Sequence, residues 1–290
     1  MELQQMRCVV AVAELGSFTR AAERCFVVQS ALSHQVARLE QELGARLFHR
    51  TSRQVRLTPA GEAFLPVARQ CLDAAERAAA EVAAAVGEIR GPLSIGVIPT
   101  VAAVDVPAAL REFRSRHPGV RVRFESASSD TLVRRVAEGS LDLAFLGLPE
   151  GRVPSGVAGH VFPRDQHRAV VAPRHPLASR RRVRLERLAE ETFVDFPATS
   201  PGRQQSDLAF ERAGLTREVA FEVADMLLMA RILREGLAVA LLASAFVDQF
   251  PDLVAIPVTG APVRTEHLVW SSFGPAPAAA ALLDQLGIAH

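Results

Sequence analysis

Apolar residues recur at helical spacing through the N-terminal part of the chain. A first amphipathic helix is predicted over about Met1–Ala13, ending near Gly16. Its apolar positions are Met6, Val9, Val10 and Ala13. Ser17 is a suitable N-cap for a second helix over Thr19–Arg24. A third helix is predicted over Gln29–Leu43, because its apolar residues form one stripe. The stripe consists of Leu32, Val36, Leu39 and Leu43.

The third helix has a polar face opposite this stripe. That face carries Ser30, His34, Ala37 and Gln41, with Ser33 and Arg38 beside it. Small side chains allow a helix to approach the DNA major groove, where Gln, Ser and His can hydrogen-bond base edges. Val27 and Val28 are expected to anchor the turn to the core, so that Gln29, Ser30, Ser33 and His34 point outward. The alternative is the solvated face of an ordinary surface helix.

A second cue comes from the segment that follows the third helix. Two short extended runs flank Thr51–Arg53 and predict a β-hairpin that carries Arg50, Arg53 and Arg56. A hairpin wing beside such a helix places cations on DNA phosphates. The net charge of the whole chain is only +1, yet the segment Arg46–Arg56 contains arginines and no acid. The chain has no lysine, which indicates a compositional bias and weakens any argument from arginine enrichment alone.

A long helix is predicted next. Thr58 and Pro59 are a typical helix start, and Gly87 with the pair Gly91 and Pro92 ends it. A helix over Pro59–Val86 would be about 42 Å long. Its apolar seam consists of Phe64, Val67, Cys71, Ala74, Ala78 and Val82, and Pro66 should bend it. An apolar seam of that length calls for a partner helix, or else for packing on the C-terminal part of the same chain.

From Leu93 onward short apolar strands alternate with helical segments, which predicts an α/β fold of two lobes. Hydroxyl side chains follow the predicted strands at helix starts, where free backbone N–H groups favour anions or carbonyls. These candidates are Thr100, Ser128 and Ser129 in one lobe and Ser200 with Arg203 in the other. Each hydroxyl alone could be a simple helix cap. Together they indicate a ligand site in the cleft between the lobes.

Composition excludes several classes of protein. The chain has 290 residues, 49% hydrophobic and 22% charged, without a window of roughly 18 consecutive apolar residues or a signal peptide. A cytoplasmic protein is therefore expected. Cys8, Cys25 and Cys71 lack metal-ligand spacing and are expected to be small buried hydrophobes.

Enzymatic and metal chemistry find little support in the sequence. There is no lysine for Schiff-base chemistry, no Gly-x-Ser-x-Gly elbow and no glycine-rich phosphate loop. His160, His167 and His175 lack tight metal-ligand spacing and are expected on the surface. Asp142, at the entry of a strand, is expected to be structural. The sequence thus predicts neither an enzyme, nor a cofactor, nor a metal.

The stretch FTRAAERC…VVQSALSHQVARLEQELGARLFHRTSRQVRLTPAGEAF resembles the winged helix-turn-helix of the LysR-type transcriptional regulators across Phe18–Phe64. The matching positions are Ala21, Ala22, Gln29, Leu39, Glu40, Leu43, Gly44, Leu47, Phe48, Arg50, Leu57, Thr58, Ala60 and Gly61. The resemblance implies that Gln29, Ser30, Ser33 and His34, with Arg38 beside them, face DNA, and that Arg50 and Arg53 follow its backbone or minor groove. Val28 departs from the Ser or Thr usual in the family, which loses a hydroxyl cap worth about 1 kcal/mol.

The resemblance extends to the domain organisation. It implies a winged helix-turn-helix over 1–58, a dimerising linker helix and hinge over 59–90, and a two-lobed effector domain like a periplasmic binding protein over 91–290. Lobe I would comprise about 91–160 and 266–290, and lobe II about 161–265. The family's ligand positions correspond to Thr100, Ser129 and the region Phe196–Arg203, with Ser128 and Ser200 adjacent. Arg203 favours a carboxylate effector.

The function expected from this resemblance is DNA-binding transcriptional regulation modulated by a small-molecule effector. Implied partners are promoter or operator DNA, the effector, further copies of the chain as a homodimer and homotetramer, and RNA polymerase, with no membrane. The alternative is a soluble small-molecule-binding protein, or an enzyme of binding-protein fold, whose N-terminal domain serves only for assembly. Binding to the DNA upstream of its own gene would distinguish the two.

Overall fold

The computed structural model describes residues 1–50 and 54–290, with only the backbone described at Arg50 and Pro201. The chain divides into two compact units, Met1–Pro92 and Leu93–His290. Arg53 at the tip of the predicted wing lies outside the described residues, and so does the side chain of Arg50.

The N-terminal unit contains the predicted helices and wing. The helices are α1 Leu3–Leu15, α2 Phe18–Arg24, α3 Gln29–Leu43 and α4 Pro59–Ala85, and the strands are β1 Phe48–Arg50 and β2 Val55–Leu57. α1 ends at Gly16, which adopts a left-handed conformation that glycine tolerates at a helix C-terminus. Ser17 caps α2 by accepting a hydrogen bond from the backbone N–H of Arg20. The antiparallel pairing of β1 with β2 confirms the hairpin.

Predictions at both ends of α3 are wrong. Leu32, Val36 and Leu39 are buried, but Leu43, the last residue of the helix, is 41% exposed. Val28 is 68% exposed and Val27 is also on the surface, so neither anchors the turn by its side chain. The turn is held by its backbone, in which the N–H of Val27 donates to the carbonyl of Ala22 at 3.0 Å.

The start of α4 fits tightly under the wing. The hydroxyl of Thr58 accepts from the N–H of Gly61 at 3.0 Å and donates to the carbonyl of Arg46 at 2.6 Å. A Cβ on Gly61 would lie 2.2 Å from the carbonyl oxygen of Leu47, a contact that no side chain could make. Glycine is therefore required there by close backbone approach.

The predicted seam of α4 is divided between buried and exposed positions. Phe64 and Cys71 pack against Met6 and Val10 of α1, whereas four seam positions are exposed. The exposed positions are Val67, Ala74, Ala78 and Val82. The helix continues without interruption through Pro66. Most of the seam thus has no cover within the described part of the N-terminal unit.

The C-terminal unit is an α/β structure. Its strands are β3 Gly91–Val97, β4 Val120–Ser126, β5 Leu143–Pro149, β6 Val157–Val171, β7 Val183–Arg184, β8 Thr192–Asp195, β9 Glu218–Glu222, β10 Ala240–Ala243, β11 Val254–Thr259 and β12 Val263–Ser271. Its helices are α5 Val106–Arg116, α6 Ser129–Ala137, α7 Leu185–Leu188, α8 Pro201–Arg212, α9 Met226–Arg234, α10 Ser244–Val247 and α11 Pro277–Gln285. Short strands alternate with helices over most of this unit, as the apolar runs predict. Asp142 accepts from the N–H and hydroxyl of Ser94, which confirms a structural role.

Two long strands join the halves of this unit. The main sheet has the order β4-β3-β5-β12-β6-β11-β7, with β10 also paired to β6. The first half of β6 pairs with β12, and its last residues pair with β10 and β11. The register of β6 against β12 shifts between Thr265 and His267, opposite Pro163, which cannot donate a ladder hydrogen bond. The expected lobe boundaries fall within these two strands.

Candidate functional site

The DNA-facing residues predicted for α3 lie at its N-terminal end. Gln29, Ser30 and His34 are exposed and Ser33 is half-buried. The side-chain amide of Gln29 donates to the hydroxyl of Ser33 at 2.9 Å, which holds the two polar groups together on one surface. Arg38, one turn further along, is exposed but lies 3.3 Å from Glu42.

The residue before α3 leaves the helix without a side-chain cap. Val28 occupies the N-cap position and accepts no hydrogen bond through its side chain, as expected from the missing hydroxyl. Phe26, two residues earlier, is 95% exposed and has a φ of 56°. The head of α3 and the turn before it therefore form a protruding surface of polar and apolar side chains. Two arginines flank it on the wing side, Arg46 and Arg56, both exposed.

The C-terminal unit contains a cavity of about 260 Å³. It is lined by the ends of strands β3, β4, β5 and β8, the start of α8, and parts of β6, β10 and β12. Thr100, Ser128, Ser129, Phe196 and Ser200 all lie on its wall. Apolar side chains of Ile98, Leu241 and Leu242 cover much of the remainder. The cavity is therefore a mostly apolar chamber with polar groups at helix starts.

The hydroxyls on the wall differ in what they can offer a ligand. The hydroxyl of Ser129 donates to the carbonyl of Gly147 at 3.0 Å and accepts from its N–H at 3.1 Å, so it is committed to joining α6 to β5. That of Ser128 donates to Thr131 at 3.0 Å. Thr100 and Ser200 only accept, from Arg264 and from the N–H of Arg203 respectively, so their own protons can donate to a ligand.

Arg203, which the sequence predicts to face the ligand, is not among the residues that line the cavity. Its guanidinium forms ion pairs with Asp207 at 2.8 Å and Glu222 at 3.1 Å, and its Nη1 donates to the carbonyl of Phe196 at 3.4 Å. These two acids complete a cluster in which Arg217 binds both Asp195 and Asp207 at 2.7 Å. Because Arg203 does not line the cavity, it is not positioned to serve as the cation for a carboxylate there.

A buried arginine that carries no sequence motif lines the cavity instead, and it is paired with the buried Glu266. Arg264 of β12 donates to the hydroxyl and the carbonyl of Thr100 at 2.8 and 2.9 Å. It also pairs with Glu266 at 2.7 Å, and the carboxylate of Glu266 accepts from the N–H groups of Ala102 and Ala103. The loop that carries Thr100 is therefore tied to β12 by an arginine and a glutamate.

A histidine and an aspartate also line the cavity. His167 is buried, contrary to the expectation of a surface position, and burial followed by the nearby charge of Arg264 lowers its pKa to about 4. Its Nδ1 donates to the carbonyl of Pro262 at 3.2 Å. Burial raises the pKa of Asp195, although Arg217 opposes this. His175 is also mostly buried, 3.5 Å from Glu191, so its surface prediction is wrong as well.

Metal-binding clusters and membrane-spanning helices are absent from the described residues. Among residues 1–50 and 54–290, no group of three or more His, Cys, Asp or Glu side chains is arranged to hold a metal ion. Within the same ranges, no helix is both long enough and apolar enough to span a bilayer. Cys8 lies in the core of the N-terminal unit, where burial, followed by the nearby Cys25, raises its pKa to about 11.

Comparison with known proteins links both units to one family. Residues 3–62 match the model of the bacterial regulatory helix-turn-helix protein, lysR family, and residues 87–288 match the LysR substrate binding domain. The RuBisCO operon transcriptional regulator of Allochromatium vinosum is 32% identical over 93% of this chain and 90% of its own length. The transcriptional dual regulator GltC of Bacillus subtilis is 32% identical over 89% of this chain and 86% of its own length.

Solved structures give the same result. The crystal structure of full-length CbnR complexed with its target DNA superposes with a TM-score of 0.74 over 99% of both chains, at 24% identity, which shows likeness of fold. Full-length OxyR from Pseudomonas aeruginosa gives a TM-score of 0.73 at 25% identity, covering 99% of this chain and 94% of the other. The winged helix-turn-helix followed by an α/β domain is thus a known combination.

Proposed function

This chain belongs to the LysR family of bacterial helix-turn-helix regulators, and from that premise we propose that it binds operator DNA and regulates transcription in response to a small-molecule effector. The observation that carries the proposal is the exposed polar head of α3 in one unit, combined in the other with a mostly apolar cavity that has polar groups on its wall. The role is regulatory and not catalytic, and it is exercised in the cytoplasm, where the DNA is.

In this proposal the head of α3 enters the major groove. Gln29, Ser30, Ser33 and His34 hydrogen-bond base edges there, since short polar side chains at a helix start reach them. Arg50 and Arg53 of the wing contact phosphates, and Arg38 approaches the backbone once DNA competes with Glu42 for its guanidinium. The unpaired seam of α4 supports pairing of two chains into a dimer, with a tetramer and contact with RNA polymerase at the promoter as further steps.

The DNA-binding part is tested by gel retardation with the DNA upstream of the protein's own gene. Arg50→Ala and Arg53→Ala should each weaken binding to all sequences and reduce the salt slope by about 1, because each removes one phosphate contact. Arg116→Ala, an exposed arginine of the C-terminal unit, is the matched control. If the protein does not bind this DNA, the proposal is refuted. If the salt dependence of binding is unchanged in both variants, the wing does not contact the DNA.

The dimer is tested by changing the exposed seam. Ala78→Glu should dissociate the dimer, because it places an unpaired charge in an apolar interface. Ala79→Glu is the control, since Ala79 is equally exposed but lies about 100° away around the helix. Analytical ultracentrifugation at micromolar concentration measures both. If Ala78→Glu remains dimeric, the seam of α4 is not the dimer interface.

The effector part of the proposal concerns the cavity, and a carboxylate is the proposed ligand class. Support comes from the starts of α6 and α8, which lie on the cavity wall, and from the hydroxyls of Thr100, after β3, and Ser200, at the start of α8. Phe196 supplies an apolar contact beside them, and Ser128 and Ser129 shape the wall around the start of α6. A thermal-shift screen of small carboxylates on the full-length protein tests this. A screen in which only cationic compounds stabilise the protein would refute the ligand class.

A further inference from the structure

The cavity wall contains a buried arginine with an unused hydrogen-bond donor. Arg264 is 4% exposed and is the one arginine on the described part of the wall. A guanidinium has five N–H groups. Two are used by Thr100 and one by Glu266, and Nε faces Asp165 at 3.5 Å without a hydrogen bond. Among the described residues, none accepts the second hydrogen on Nη1.

The unused donor lies next to two residues that line the cavity. Nη1 is 2.8 Å from the hydroxyl oxygen of Thr100 and 3.5 Å from the position where a Cβ on Gly147 would lie. Thr100 and Gly147 both line the cavity. Because the Thr100 oxygen accepts from Nη1, its own hydrogen is free to donate as well. Two adjacent donors, one of them charged, therefore stand where the two oxygens of one carboxylate could bind.

We propose that Arg264 is the anchor of the effector, and that the effector is a monocarboxylate with an apolar body. This assignment rests on the proposed effector function of the cavity. Glu266 and Asp165 act as positioning residues, because they hold the guanidinium in place before the ligand arrives. Asp165 is itself fixed by the N–H and hydroxyl of Ser244, at 2.8 and 2.6 Å. A guanidinium held in this way loses little freedom on binding.

The remaining wall restricts the rest of the ligand. Ile98, Phe196 and Leu241 make the body of the cavity apolar. Asp195 also lines the cavity. Among the described residues of the wall there is no second arginine that could balance another anion. A second carboxylate would therefore be desolvated without a counter-charge. The volume of about 260 Å³ lies just below the usual range for ligand pockets, about 300–1,000 Å³, so the ligand should be small.

The ligand class is tested with matched compounds on the full-length protein. Hexanoate, hexanamide and adipate share a six-carbon chain and differ in charge, and 3-phenylpropionate with its amide forms a second pair. Isothermal titration calorimetry near neutral pH should give an affinity for each monocarboxylate at least tenfold greater than for its amide or for adipate. Thermal shifts should rank the compounds in the same order.

Two variants assign the effect to Arg264. Glu266→Gln removes the charge that partly neutralises the guanidinium. It should therefore increase the affinity for hexanoate severalfold and leave the affinity for hexanamide unchanged. The double variant Arg264→Gln with Glu266→Gln removes one charge of each sign and leaves the net charge of the wall unaltered. It should bind the acid and the amide equally weakly. Circular dichroism and the melting temperature check that both variants are folded. If the double variant does not fold, the acid preference of the Glu266→Gln protein tests the assignment by itself.

When compounds of the panel bind, three results would overturn the assignment of Arg264 as the anchor. They are equal affinity for acid and amide in the unmodified protein, tighter binding of adipate than of hexanoate, and an acid preference that Glu266→Gln does not change. A panel in which no monocarboxylate binds at millimolar concentration also overturns it. Failure of the proposed function is distinguishable from these results. In that case the full-length protein would not bind the DNA upstream of its gene in the gel-retardation assay.

Discussion

The two units present their polar groups in opposite ways. At the head of α3 the polar side chains are exposed, and one hydrogen bond, from Gln29 to Ser33, organises them. In the cavity of the C-terminal unit the polar side chains are buried in networks that include Arg264 with Glu266 and Arg217 with Asp195. The first surface is left open to a partner, whereas the second is assembled when the chain folds.

This difference has an energetic consequence. Burying a charge costs free energy unless it is paired and hydrogen-bonded, so the cavity networks make stability depend on every member. Exposed polar side chains cost little in folding, but they must be ordered when the partner binds. Substitutions in the cavity should therefore act first on stability, and substitutions at the head of α3 should act on binding alone.

The largest effect is expected at Arg217. Its guanidinium stacks on the rings of Phe193 and Phe210, at 4.8 and 5.1 Å, while it pairs with Asp195. Arg217→Met leaves a buried carboxylate without its cation and should reduce the free energy of unfolding by about 3–5 kcal/mol. The loss should be smaller at acidic pH, because burial raises the pKa of Asp195 and protonation removes its charge. Urea denaturation followed by circular dichroism measures both.

Arg212→Met is the control for this substitution. Arg212 is exposed at the end of α8, so its replacement should change the free energy of unfolding little. If both variants unfold at the same urea concentration, the buried ion pairs of the C-terminal unit do not contribute as argued, and the contrast between the two units fails on its stability side.

A close backbone contact makes one position of the N-terminal unit sensitive to substitution as well. Gly61→Ala would bring a methyl group to 2.2 Å from the carbonyl oxygen of Leu47, so α4 must shift away from the wing. We expect a loss of about 1–3 kcal/mol, as for an overpacked core. Gly202→Ala is the control, because its Cβ would make only an ordinary contact, 3.6 Å from the ring of Phe196. Equal melting temperatures for the two variants would contradict the tight fit.

The buried His167 makes the C-terminal unit sensitive to acid. Its pKa is lowered from 6.5 to about 4 in the folded chain. The unfolded chain therefore binds a proton below about pH 6.5 while the folded chain does not, so stability falls as the pH falls towards 4. Between neutral pH and pH 5 this one histidine should reduce the free energy of unfolding by about 2 kcal/mol.

His167→Gln should remove that part of the pH dependence. His34→Gln, at the exposed head of α3, is the control and should leave the pH dependence as it is. Urea denaturation at pH 7.5 and pH 5 compares the three proteins. A His167→Gln protein that loses as much stability on acidification as the unmodified protein would show that other groups dominate.

The exposed features could be predicted from the sequence because they follow from local patterns. The bounds of α3 follow from the period of Leu32, Val36 and Leu39, and the start of α4 follows from Thr58 and Pro59. The strands of the C-terminal unit follow from short apolar runs between turns. Val27 and Val28 were mispredicted because apolar character alone does not bury a residue. Their turn protrudes and is closed by backbone hydrogen bonds.

The buried networks could not be predicted, because their members are far apart in the chain. Arg264 meets Thr100 across 164 residues, and Arg217 meets Asp195 across 22. Arg203 was expected to face the ligand because it follows Ser200 at a helix start. In the folded chain its guanidinium forms ion pairs with Asp207 and Glu222. Only the folded sheet shows which of these arginines lines the cavity.

The smallest expected effect tests whether the two sites can be separated. Ser33→Ala removes the hydroxyl that Gln29 contacts and should reduce operator affinity by about 1 kcal/mol. Effector affinity should not change.

Thr100→Val should weaken effector binding and leave operator affinity unchanged, since it removes a donor from the cavity and leaves Nη1 of Arg264 without its acceptor. Thr100→Ser keeps the hydroxyl and should restore binding. Effector and operator titrations of all three variants, each made with the other ligand present and absent, measure the coupling, typically about 1–3 kcal/mol. If Thr100→Val weakens operator binding without effector as much as Ser33→Ala does, the exposed and the buried site are not independent, and the contrast between them does not hold.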